Sequence, residues 1–206
     1  MKQYYKDYIK HQLSRSINVD FSNKCLLQCV YCMRQSPLGG KDKVKNSSDM
    51  PFEDFKKITK KFQTIKLCGQ ISDPIYHPRF IEYLNYAASN KREVHVHTTG
   101  TGKKIKFWKD VFSIHSFKKI KWIFGIDGTS QKTTNLHRIG QNFFSATRAM
   151  LLGSRSDHKI VWQFIPFKHN EHEILRALKT CERYGIELML LKSSRFWDID
   201  AIINNK

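Results

Sequence analysis

Acidic residues are scarce in this chain, 18 Asp and Glu among 206 residues against 36 Lys and Arg, a net charge of +18. Proline and glycine are also few, 5 and 10. That leaves no Pro- or Gly-rich linker and no low-complexity segment, and with about 150 residues per domain it points to a single domain over 1–206. No stretch approaches the ~18 consecutive apolar residues that cross a bilayer. The opening Met1-Lys2-Gln3-Tyr4-Tyr5-Lys6 lacks the apolar core of a secretory signal, so the expected location is cytoplasmic, away from membranes. Only five cysteines occur, too few for a disulfide scaffold. Hydrophobic residues at 40%, with 13% aromatics, exclude a disordered chain and suffice for a core.

The excess positive charge comes from 26 Lys and 10 Arg. Such a surface suits an anionic partner, so nucleic acid or an acidic protein stays open. The preference for Lys over the bidentate Arg points away from base and phosphate readout. The lysines fall at loops (Lys41, Lys43, Lys45) or on polar faces of amphipathic patterns (Lys56, Lys57, Lys60, Lys61), as on any solvated surface.

Hydrophobic periodicity alternates between strand and helix. Strands are expected at Ile17–Phe21, Thr64–Cys68, Glu93–His97, Trp122–Ile126, Ile160–Ile165 and Glu187–Leu191. Helices are expected between them. One starts with Pro51 behind a Ser48 or Asp49 cap and carries Phe52, Phe55, Ile58 and Phe62; later ones carry Phe80/Leu84/Ala87, Ile105/Trp108/Val111/Phe112, Phe144/Ala149/Leu152 and Ile174/Leu175/Leu178/Cys181. Repeated βα units imply right-handed crossovers and a parallel sheet. Six strands are too few for a closed eight-stranded barrel. The fold class is therefore α/β: an open, partial (βα)6 TIM-like barrel, helices outside, a cleft at the C-terminal edges of the strands. Residues 1–15 read as a helical lead-in and 195–206 as a tail, which covers the open barrel end or packs on the helices.

Chemistry concentrates just after the first strand, in Cys25-Leu26-Leu27-Gln28-Cys29-Val30-Tyr31-Cys32, spaced C-x3-C-x2-C. Three thiols cannot complete a four-cysteine zinc site, and no distant C-x-x-C pair exists to help. A disulfide plus one spare thiol does not suit a cytosolic chain. An iron–sulfur cluster with three protein ligands leaves one iron open for an exogenous ligand, as a catalytic cluster requires. The other cysteines, Cys68 and Cys181, read as structural thiols.

With this spacing in this place, the chain resembles the radical S-adenosylmethionine (radical SAM) superfamily from about Ser16 to Phe196. The resemblance implies that Cys25, Cys29 and Cys32 hold a [4Fe–4S] cluster whose fourth iron is chelated by S-adenosylmethionine. One electron then cleaves the sulfonium, and the resulting 5′-deoxyadenosyl radical abstracts a substrate hydrogen. Tyr31 occupies the aromatic position near the adenine. Gly69-Gln70-Ile71-Ser72-Asp73-Pro74 is similar to the glycine-rich, acid-Pro segment that binds the cofactor's amino group, Gly69 permitting close approach and Asp73 supplying the carboxylate. An Asp-Pro turn is the alternative reading. Gln70 and Ser72 depart from the family's usual glycine and acid.

Phe124-Gly125-Ile126-Asp127-Gly128 resembles the family's Ile-Asp-Gly segment. Gly125 stands where peptide-modifying relatives often have Ser, which leaves Arg138 to hold the cofactor's carboxylate or else to be a surface Arg. Asp127 binds ribose or substrate, or caps its loop. Thr98 and Thr99 match polar cofactor contacts, and Gln163 a position near the adenosine. His95 and His97 share one face of their strand, turned inward opposite Val94 and Val96. A His-x-His metal site lacks a third ligand, so they read as lining a polar cavity. No catalytic residue beyond the ligands is assigned.

No cysteine follows Cys181, so one cluster is the expectation, without the auxiliary-cluster extension common in peptide-modifying relatives. Three function classes follow: an enzyme modifying a peptide or protein side chain, one modifying a nucleotide or RNA, and a non-catalytic iron–sulfur protein. The first two need a reductant such as flavodoxin or ferredoxin.

Overall fold

The computed structural model describes residue 3 and residues 15–36, 40–118 and 120–192. The expected tail at 195–206 and all of the lead-in but residues 3 and 15 lie outside these.

Six parallel strands lie in sequence order: β1 (Ser16–Val19), β2 (Thr64–Leu67), β3 (Glu93–Thr98), β4 (Lys121–Gly125), β5 (Lys159–Phe164) and β6 (Glu187–Leu190). β1 and β6 are the two edges, so the sheet does not close. The helices are α1 (Gly40–Lys45), α2 (Phe52–Lys61), α3 (Phe80–Ser89), α4 (Ile105–Phe112), α5 (Gln131–His137), α6 (Phe143–Gly153) and α7 (Ile174–Tyr184). Each of the six expected strands forms, with ends shifted by at most two residues.

β3 shows how the sequence makes the layers. Val94 and Val96 are fully buried toward the helices, while His95 and His97 stand half-buried on the concave face. Under the convex face, Trp108 and Phe112 of α4 pack edge-on against Trp122 of β4, and Trp108 also packs at a tilt against Phe124. Trp122 also keeps its indole N–H satisfied, donating to His158 Nδ1 at 2.9 Å, and His158 Nε2 lies 2.9 Å from the Ile114 carbonyl. Burial holds the His158 pKa below the ordinary imidazole value, which favours the neutral ring that can both accept and donate.

Several local expectations change. α2 begins at Phe52 with no side-chain cap; Asp49 instead accepts from Ser22 Oγ at 2.6 Å and pairs with Lys24 Nζ at 2.7 Å, anchoring the start of the cysteine loop. The Gly-Lys stretch around Lys41, expected as loop, forms α1, with Asp42 in its first turn and Lys43 and Lys45 in its last, complementing the helix dipole. On α6 the sheet-facing positions are Ala146, Ala149 and Met150, leaving Phe144 exposed; on α7 they are Ala177 and Cys181, leaving Leu175 and Leu178 outside. Small residues seat both helices close to the sheet, so the larger apolar side chains are turned outward.

Candidate functional site

All three cysteines of the C-x3-C-x2-C segment line one cavity of about 640 Å³ that opens at the C-terminal edges of the strands and runs down the concave face. The loop carrying them is fixed by backbone hydrogen bonds to the last residue of α5 and the turn after it, Val30 N–H to His137 O at 3.0 Å and Gln28 N–H to Ile139 O at 2.9 Å. On its other side, Asp73 N–H donates to Lys24 O at 2.9 Å, and Arg34 Nη1 donates to the carbonyls of Asn23 and Ile71 at 2.7 and 2.8 Å. The thiols therefore sit on a braced loop.

Does an iron–sulfur cluster fit them? All three thiols are free, and among the described residues no three His, Cys, Asp or Glu side chains gather closely enough to hold one metal ion. A cube takes one thiolate on each of three irons, so its ligands stand apart on one wall. Burial, with Asp73 nearby, pushes the Cys25 thiol up to about 12, and burial likewise raises Cys29 against the pull of Arg138. Such thiols ionise only when a metal displaces the proton. The donor set suits a cluster.

Asp73 sits at the end of β2's turn, 2% exposed. Its Oδ2 accepts from Thr98 Oγ1 (3.0 Å), Thr99 N–H (2.8 Å) and Thr99 Oγ1 (2.8 Å), and its Oδ1 from Ile75 N–H (3.3 Å). Oδ2 ties β2's turn to the end of β3 and Oδ1 closes the turn itself, while the side chain still lines the cavity in which the ammonium contact is expected. The Asp-Pro turn is present: Asp73 caps a short 3-10 helix whose first residue, Pro74, is buried away from the cavity. Burial raises the Asp73 pKa despite these donors. Gly69 does line the cavity, and any Cβ there would collide with the Ser72 backbone, so the turn requires glycine. The Gln70 backbone N–H and the Ser72 Oγ both donate to Asp20 Oδ1, at 2.9 and 3.3 Å, so Ser72 has a side-chain partner just past β1, whereas the Gln70 bond is one any residue there would make.

Asp127 is tied into the protein in a similar way. It is fully buried behind the cavity wall, with Oδ2 2.7 Å from both His137 Nδ1 and Arg138 Nε, and Oδ1 accepting from Ile165 N–H at 2.8 Å. Asp127 does not line the cavity, and its oxygens face the protein's own donors. Burial would raise its pKa, but Arg138 and His137 beside it hold the carboxyl below the ordinary value. Arg138 is not a surface residue: its guanidinium lies in the cavity wall directly over Gly125, where a Cβ would meet Nη2 at 2.7 Å and Cζ at 2.9 Å. Glycine at 125 and arginine at 138 therefore go together, one making room for the other.

Tyr31 lines the cavity and lies near-parallel to Phe167, centroids 6.0 Å apart, with His137 5.8 Å away. Gln163, Thr98 and Thr99 reach the same cavity, as do His95 and His97. Residues not singled out from sequence include His137, Asp20 and Gln141, whose Nε2 donates to Thr99 O at 2.6 Å and Gly125 O at 2.9 Å, clasping β3 to β4. His137 directly precedes Arg138 in the chain; nothing in the sequence marks the other two.

No protein-family profile matches the sequence, and no curated protein sequence matches it. Solved structures do. SuiB of Streptococcus suis superposes with TM-score 0.71, and its complexes with the precursor peptide SuiA and with S-adenosylmethionine with 0.73 and 0.71. Each is 13% identical and covers 93% of this chain. The chain has the fold of SuiB. It also matches methylornithine synthase (PylB), TM-score 0.63 at 14% identity over 87% of the chain, and TYW1 with a lysine-pyruvate adduct bound, 0.60 at 14% over 88%. The chain spans 44% of SuiB's length, 54% of PylB's and 66% of TYW1's. Among the described residues no helix is long and apolar enough to cross a membrane.

Proposed function

We propose that this chain is a radical SAM enzyme in which Cys25, Cys29 and Cys32 hold a [4Fe–4S] cluster and S-adenosylmethionine occupies the adjoining cavity. The observation that carries the reading is the convergence of three free, braced thiols and one tethered arginine on a single cavity at the C-terminal edge of a (βα)6 sheet. When bound, the cluster and cofactor supply one-electron cleavage of a sulfonium, the source of a hydrogen-abstracting carbon radical.

The chain's own residues divide the remaining work. Arg138, aimed by Asp127, offers guanidinium donors to a carboxylate beside Cys29. Tyr31, held against Phe167 and His137, presents an aromatic surface for a purine. Gly69 admits the ligand close to the backbone, and Gln163, Thr98 and Thr99 supply polar contacts from the strands. Asp73 and Asp127 act as positioning residues, one for the β2–β3 edge and one for Arg138.

A peptide or protein side chain is the substrate class the reading favours, since SuiB, of the same fold, has been captured with its precursor peptide. The net charge of +18 favours a second reading, a nucleotide or RNA substrate. The same surface suits an acidic, cytoplasmic reductant such as flavodoxin or ferredoxin. The test is anaerobic reconstitution with iron and sulfide, then reduction by dithionite with S-adenosylmethionine present. 5′-Deoxyadenosine should form with the wild type and not with Cys25→Ala, Cys29→Ala or Cys32→Ala. An assembled cluster that leaves the cofactor intact would leave the non-catalytic iron–sulfur class in its place.

A further inference from the structure

Below the thiols, the cavity lining changes character. The parallel register aligns Asn18, Lys66, His95 and Lys121 in one row across β1 to β4, and His97 stands two residues further along β3 on the same face. All of them line the cavity. The acids at this level are already engaged. Glu93 lies 2.7 Å from His95, and Glu187 places one oxygen 2.7 Å from Lys159 and the other 3.8 Å from Lys121. Among the described residues neither the Lys66 ammonium nor the His97 ring makes a hydrogen bond or ion pair. Of the cavity's lining carboxylates there is only Asp73, whose oxygens are taken, against the cationic Lys66, Lys121, Arg138 and Lys192. A barrel interior is ordinarily filled by branched apolar side chains. Lysines at these positions keep a half-buried wall positively charged, and a bound anion would offset the cost of holding them there.

We propose that Lys66 and Lys121, with the imidazole of His97 on the strand between them, form a subsite for an anionic group, carboxylate or phosphate, on the substrate. That a substrate enters here rests on the radical SAM reading; the anion site itself does not. The two ammonium groups supply charge and the imidazole a directional N–H. Burial and the nearby His95, Lys121 and Lys66 lower the His97 pKa to about 4, so its ring is neutral near pH 7 and responds to an arriving negative charge.

The test uses the full chain without cluster, titrated with inorganic phosphate and, separately, with glutarate, read by calorimetry and by the NMR signals of the His97 ring. Binding of one or both should move the His97 pKa upward, and the stronger of the two names the anion class. The Lys66→Gln/Lys121→Gln variant should bind at least about tenfold more weakly. Lys109→Gln, exposed on α4 and outside the cavity, should bind as the wild type does. Equal binding by wild type and the double variant, or an unmoved His97, overturns the subsite. Anion binding in a chain that assembles no cluster would refute the radical SAM reading and leave the subsite standing; a cleavage-competent enzyme that binds neither probe would do the reverse.

Discussion

Replacing Asp127 with Asn tests whether this carboxylate serves as a tether rather than a ligand contact. The substitution keeps the volume and one acceptor but removes the charge that faces Arg138 Nε and His137 Nδ1, each at 2.7 Å. Arg138 then stays largely buried with no counter-charge, since no other carboxylate bonds it among the described residues. Removing one partner of a buried pair costs about 3–5 kcal/mol, and the retained acceptor places Asp127→Asn near 3. With a urea slope of about 2 kcal/mol/M, the unfolding midpoint should fall by about 1.5 M at pH 7. The sign with pH follows from the depressed folded-state pKa of Asp127. Its contribution is full above the unfolded carboxylate value of about 3.9 and is lost as pH falls through the lower folded value. The gap between wild type and variant should therefore be constant from pH 7 down to about pH 5 and narrow below pH 4. Matching midpoints at pH 7, or a gap that widens in acid, would refute the tether.

Other substitutions separate the remaining roles. Gly125→Ala places a methyl 2.7–3.0 Å from the Arg138 guanidinium, so S-adenosylmethionine affinity should drop about tenfold by calorimetry, and adding Arg138→Ala should lower it little further; additive losses would separate the two residues. Asp73→Ala leaves the donors of Ile75, Thr98 and Thr99 without their acceptor and should cost at least about 2 kcal/mol in urea unfolding; a change in cofactor affinity at unchanged stability would restore the ammonium contact. Cys181→Ser buries a hydroxyl in an apolar helix face, so stability should fall by about 1–3 kcal/mol while iron content stays at the wild-type level. Loss of iron in that variant would upset the ligand assignment.

Strand order, and three cysteines gathered at one cavity, were legible in the sequence because both are local signals. A parallel strand buried on its helix side reads as a short apolar run or alternation, as Glu93–Thr98 does, and C-x3-C-x2-C lies within eight consecutive residues. The pairing of Gly125 with Arg138 was half legible, since the missing side chain at one position pointed to the other. For the two aspartates the sequence offered a ligand contact or a local turn and could not show the tertiary donors they meet. Whether a buried carboxylate meets a ligand or a backbone depends on how many donors the fold brings to it, and those of Asp73 and Asp127 come mainly from residues 10 to 38 positions away. The outward turn of Leu175 and Phe144 was hidden for a related reason: helix facing was decided by where alanines let the backbone approach the sheet, and a stripe of large apolar residues does not record that.

The account turns on whether three sulfurs grip a cube of iron and sulfide. Iron and acid-labile sulfide, counted per chain after anaerobic reconstitution and desalting, should come to about four of each for the wild type and near zero for the Cys25→Ala/Cys29→Ala/Cys32→Ala chain. A wild type that emerges colourless and without iron, or a triple variant that keeps its iron, would contradict it.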